Sequence, residues 1–256
     1  MKLIILFLLL LSCDNSIVSV KPSEPKTSDS SQTSSVDVKT FDASCPLEMI
    51  HVSGPFCEEI EQTCLQYLDP EKSIIRRCAS YSHNTKCLSK EELLLNFCID
   101  KLEQAEIGNK LPWSDISWTN ARTVCESKNK RLCTVDEWTY ACEGPEYRPY
   151  PYGFERNSAI CNIDKMNLLD PVGRFIDQRW EATDFTLCLS SFGVQNMVGN
   201  VDEWVADWHF QHPKRSFLKG GWWGPLRSRC RAMTGGHDEY FKEISIGFRC
   251  CKDASL

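Results

Sequence analysis

The chain has 256 residues, 42% of them hydrophobic and 25% charged, with a formal net charge of -6 and 15 cysteines. A mild acidic excess without any Lys/Arg-rich block argues against a nucleic-acid partner. Cysteine used this densely, with no Cys-x-x-Cys pair anywhere, excludes a zinc-ribbon reading and points to disulfides formed in an oxidising compartment.

At the N-terminus Lys2 precedes an unbroken apolar run, Leu3 to Leu11, closed by Ser12-Cys13. A short positive region, an apolar core and a small residue before the cut read as an export signal over residues 1–12. The run is too short to cross a bilayer, which takes ~20 apolar residues. Leu10-Leu11-Ser12-Cys13 resembles a bacterial lipobox, which implies a lipid on Cys13 and a membrane anchor; the alternative is an ordinary cleaved signal with Cys13 incidental. Setting Cys13 aside leaves an even number of cysteines for pairing. Either way the expected location is the bacterial cell envelope outside the cytoplasm, periplasmic or at the cell surface. Residues 13–44 are rich in Ser, Thr, Asp, Lys and Pro, cannot bury enough surface to offset their ordering entropy, and read as a flexible tether. As a coil it would span roughly 30 Å.

Residues 45–256 are the expected folded domain, large enough for one sizeable core. Met49-Ile50-His51-Val52 reads as a brief strand, and the cysteine-rich stretch Glu58 to Asn96 follows it. Phe97-Cys98-Ile99-Asp100 is a second strand. Ser117 or Thr119 starts a helix carrying Trp118, Ala121 and Cys125 on one face and ending near Lys128-Asn129-Lys130. Thr134-Val135-Asp136-Glu137 is a capping box that opens a second helix, with Trp138, Ala141 and Cys142 as its apolar stripe and Gly144 as its stop. Phe217-Leu218-Lys219 and Ile246-Gly247-Phe248-Arg249 read as further short strands. Two amphipathic helices among irregular strands make an α+β domain with much loop.

Several motifs occur in a telling order. Phe97 to Glu103 is followed by Arg131-Leu132-Cys133-Thr134-Val135-Asp136-Glu137-Trp138 and by Gly199-Asn200-Val201-Asp202-Glu203-Trp204. Lys219-Gly220-Gly221-Trp222-Trp223 and Ile246-Gly247-Phe248-Arg249-Cys250-Cys251 complete the set. Together they resemble the formylglycine-generating enzyme (sulfatase-modifying factor) family over most of Cys45 to Asp253, with Glu58 to Asn96 as an insertion. The resemblance implies an α+β fold distantly related to the C-type lectins, with little regular secondary structure. It also implies two disulfides, Cys125 with Cys250 and Cys142 with Cys230. Each would close a long loop and contribute about 4 to 5 kcal/mol in the chain-entropy model.

The family oxidises a substrate cysteine with two cysteines of its own between the Gly-Gly turn and the next strand. Trp222 to Arg229 contains none. Copper needs soft sulfur ligands, so the sequence argues against a copper cofactor and against formylglycine-generating activity. A binding or assembly module for a protein, peptide or glycan is the expectation, with Trp222, Trp223, Arg227 and Arg229 as cleft candidates and at least one of the two tryptophans read as core. The alternative is an extracytoplasmic oxidoreductase of the superfamily using other residues. The resemblance further implies structural calcium, held by Asn200, the Val201 carbonyl and Glu203, and at a second site by Asn162 and the Ile163 carbonyl; both sets are oxygen-rich, as a hard cation requires. His209 and His212 could hold zinc only with a third ligand. His237-Asp238 lacks the Gly-x-Ser-x-Gly setting of a hydrolytic triad.

Overall fold

The computed structural model describes residues 45–184, 186–207 and 215–255. The signal region, Cys13 and its tether, and His209 and His212 lie outside the described residues. In chain order the strands and helices are β1 (Met49–Phe56), β2 (Ile60–Glu61), β3 (Cys64–Tyr67), β4 (Cys78–Tyr81), β5 (Lys86–Cys87), β6 (Leu93–Asp100) and α1 (Trp118–Ser127). They continue with β7 (Arg131–Leu132), α2 (Val135–Glu143), β8 (Asp202–Ala206), β9 (Ser216–Lys219), β10 (Met233–Thr234), β11 (Ile246–Phe248) and β12 (Cys250–Asp253).

Two four-stranded sheets carry the domain. One runs β1-β6-β12-β7, the other β10-β9-β8-β11, and two-stranded pairs β2-β5 and β3-β4 stand between β1 and β6 in the chain. The β1–β6 ladder is antiparallel from Met49↔Asp100 to Phe56↔Leu93, whereas β11 lies parallel to β8. The predicted strand through Arg249 stops at Phe248, because at Arg249 the chain leaves the sheet of β8 and enters that of β6 and β7.

Both helices are held at their starts by side chains. Ser117 accepts from the Asn120 amide at α1. At α2 the Thr134 hydroxyl accepts from the Glu137 amide at 3.1 Å while Glu137 accepts from the Thr134 amide at 2.9 Å. Gly144 ends α2 at φ 65, a conformation that strains other residues, and a Cβ there would lie 2.1 Å from the Ser191 hydroxyl and force it aside. The α1 face packs on the second sheet: the Trp118 indole donates to the Val205 carbonyl and the Trp204 indole to that of Ile116, at 3.0 and 2.8 Å.

All fourteen described cysteines are paired. Cys57–Cys87 and Cys64–Cys78 lie inside the span of Cys45–Cys98. Downstream, Cys161–Cys188 lies inside Cys142–Cys230, which lies inside both Cys125–Cys250 and Cys133–Cys251. Cys250 and Cys251 are neighbours on β12 and so point to opposite faces. Cys250 joins the apolar cluster of Trp118, Leu132 and Phe248, and Cys251 that of Trp138, Val198 and Phe97.

Candidate ligand cleft

The site begins at the turn after β9. Gly220 and Gly221 take φ values of 91 and 76, and a Cβ on either would clash, at 2.7 Å from the Met197 carbonyl oxygen and 2.7 Å from the Ser228 hydroxyl. Only paired glycines allow the chain to turn here against β8 and the following loop. Asp202 fixes that turn, accepting from the Gly221 amide at 3.1 Å and from Arg227 at 2.7 Å. Burial raises the Asp202 carboxyl pKa, and the Arg227 guanidinium opposes the shift.

Residues 222–229 are supported from beneath. Arg156 donates to the carbonyls of Ser228 and Leu226 and is held by Asp164 at 2.7 Å; Asp164 also accepts from Arg77, whose other partner is Asp69. Trp223 is fully buried, the core tryptophan of the pair. Trp222 is half-buried, standing edge-on between Trp223 and Phe175 at 5.1 and 5.5 Å. Beside it an open pocket of about 480 Å³ is lined by Met166, Leu168, Leu169, Phe175 and Pro225. Its far wall is a small hairpin bridged at Leu169↔Phe175. Three buried polar atoms of the loop have no hydrogen-bond partner: the Trp223 indole nitrogen, Arg227 Nε and the Ser228 hydroxyl. Arg229 is half-buried and forms no ion pair among the described residues, and its charge reaches the Tyr81 and Tyr150 hydroxyls.

Behind the cleft lies a buried polar cluster. Glu203 and Arg249 form a two-pronged pair, both contacts 2.7 Å, and Glu203 also accepts from the Trp138 indole at 2.7 Å. Glu103 accepts from Asn200 at 2.9 Å and from Asn196 at 3.2 Å. Burial, reinforced by the neighbouring Glu203 charge, pushes the Glu103 carboxyl up to about 8. Lys219, 5.3 Å from the Trp138 ring, is pushed down to about 7 by burial, against the pull of Glu143.

This arrangement bears on the calcium residues. The Asn200 side-chain oxygen accepts from Asn162 at 3.1 Å and from the Trp180 amide at 2.9 Å, and both Glu203 oxygens face Arg249. A cation on Asn200 and Glu203 does not fit these bonds, because it would displace the guanidinium. Asn162 is different: its side-chain oxygen is buried and has no donor. No group of three or more His, Cys, Asp or Glu suited to a metal occurs among the described residues. His237 stacks on Phe241 at 4.0 Å, while Asp238 caps the amides of Tyr240 and Phe241.

Sequence reasoning named the loop but not its supports. Asp202 was read within an oxygen-rich cluster suited to a cation and not as the anchor of the turn, and Arg156 and the Leu169–Phe175 hairpin were missed, since each acts through long-range contacts. The one local signal was Gly173 in the hairpin turn.

A loop after paired glycines, backed by a buried Glu–Arg pair within a disulfide-braced two-sheet α+β frame, defines a formylglycine-generating-enzyme-like domain. The description of the Sulfatase-modifying factor enzyme 1-like domain matches residues 84–254, and the chain belongs to that family. It is 29% identical over 147 residues to the formylglycine-generating enzyme of Mus musculus, covering 54% of this chain and 38% of that protein. To the inactive C-alpha-formylglycine-generating enzyme 2 of Bos taurus it is 27% identical over 166 residues, covering 57% and 51%. The matched region thus spans about half or less of these relatives. The crystal structure of CarF shares the fold, with a TM-score of 0.53 at 16% identity over 81% of this chain and 98% of that one.

Proposed function

We propose that the domain is a non-catalytic binding module of the cell envelope, anchored through a lipid on Cys13, which holds an extended peptide across residues 222–229. One observation carries the reading: the loop that would need sulfur has none, and every described cysteine is in a disulfide. A thiol oxidase needs a reactive sulfur that can bind metal or substrate. What the loop offers instead suits recognition. The apolar pocket beside Trp222 would take one apolar side chain of such a peptide. A relative of this chain is itself named as inactive, in keeping with a non-catalytic reading.

The test is selection of peptides from a displayed library on the full chain, followed by titration calorimetry. Peptides with an apolar anchor should bind, and Trp222→Ala should weaken them roughly tenfold, in the range of an interface aromatic, in a variant still folded at the titration temperature. Copper- and oxygen-dependent conversion of a cysteine peptide to its aldehyde, seen by mass spectrometry, would replace this reading with an oxidoreductase.

A further inference from the structure

The module between β1 and β6 has a well-anchored base and an uncovered tip. At the base, Arg231 donates to the carbonyls of Cys57 and Glu58 at 2.6 and 2.7 Å. Tyr150 donates to the Cys78 carbonyl at 2.6 Å, and Ser80 bridges Glu155. β4 is therefore the inner strand and β3 the outer one. Cys64–Cys78 staples the two beneath the turn. Beyond that staple the apolar side chains lie open among the described residues: Leu65 is 65% exposed, Leu68 48% and Ile74 104%, with Tyr67 and Ile75 also exposed. An apolar group of this kind on a projecting turn marks a contact surface.

Several polar groups of the turn are paired within it. The Leu68 amide donates to the Arg77 carbonyl, the Ser73 amide to that of Pro70, and the Ser73 hydroxyl to that of Ile75. Asp69 accepts from the Arg77 amide and guanidinium, which neutralises both charges. The charges left over are Lys72, Glu71 and Arg76, a net positive balance, with Arg76 lying 3.5 Å over the Tyr67 ring. Isoleucine at the apex, tyrosine at the shoulder and cations beside them match the layering of a bilayer surface: acyl chains, headgroup boundary and lipid phosphates. A protein groove would leave the convex tip no role for its cations unless it were itself acidic.

We propose that the turn at residues 65–76 inserts shallowly into an anionic lipid bilayer. The experiment is hydrogen exchange of the full chain, read by mass spectrometry, with vesicles of equal phosphatidylglycerol and phosphatidylcholine and with phosphatidylcholine alone. Slowed exchange confined to 65–76 is expected, with affinity favouring the anionic vesicles by roughly fivefold, as one net charge provides. The double variant Ile74→Asp, Ile75→Asp should lower that affinity roughly a hundredfold or more, and Arg76→Gln, which removes the net charge, should abolish the lipid preference. A chain bound to vesicles elsewhere, with exchange at 65–76 unchanged, would overturn the proposal. So would equal protection on neutral vesicles, or protection without lipid as protein concentration rises, which would indicate a protein contact.

Discussion

Two residues set how stability should vary with pH. Glu103 has its folded pKa raised above the ordinary value, so between about 4.5 and 8 the folded state holds a proton that the unfolded chain has released. Stability therefore falls as pH rises through that window. Asp202 and Glu143, also raised by burial, add to this limb. Lys219 has the opposite sense: its folded pKa near 7 lies below the ordinary 10.5, the unfolded chain binds the extra proton, and stability rises with pH across that interval. The expected profile has a minimum near neutral pH. Urea denaturation across pH 5 to 10 should show it, with Glu103→Gln flattening the acidic limb and Lys219→Met the alkaline one. A profile unchanged in both variants would remove these groups from the account. Both residues lie in motifs named from the sequence, but their burial was not legible there, because an acidic or basic side chain reveals it only once distant strands close over it.

At the scale of elements, the helices were legible because their signals are local. The capping box at Thr134 and the stop at Gly144 lie within one helix length of each other and are present as read. Thr134→Ala should cost about 1 kcal/mol in urea denaturation, while Thr134→Ser should retain most of that stability. A negligible loss in the alanine variant would mean that Glu137, also clamped by Arg131 at 2.6 Å, fixes this helix start by itself. The strands were harder. β1 and β6 were found only over Met49–Val52 and Phe97–Asp100, their more buried halves. The two-residue pairs β2 and β5 are held by Cys57–Cys87 rather than by any periodic pattern, so no window of residues could announce them.

Across the whole molecule, the fold was readable from a few motifs in sequence order, each placing a turn or a buried charge that the frame needs. The candidate cleft was named in part: Trp222 and Arg227 belong to its loop, but the pocket wall comes from a hairpin some fifty residues upstream whose apolar side chains looked like ordinary loop. The disulfides were legible as a set and, for most pairs, not individually, since cysteine spacing fixes neither distance nor direction.

Their nesting has a consequence of its own. No bridge crosses from the group ending at Cys98 to the group beginning at Cys125, so the segment between them is the sole covalent link between the described parts of the domain. Residues 106–110 in that segment are exposed. A protease cutting there should leave a particle that migrates intact in native gels, joined by the β6–β12 ladder, yet parts into two fragments in denaturant with no reductant added. Such a cut would turn one chain into a heterodimer whose halves could be exchanged, labelled separately or recombined.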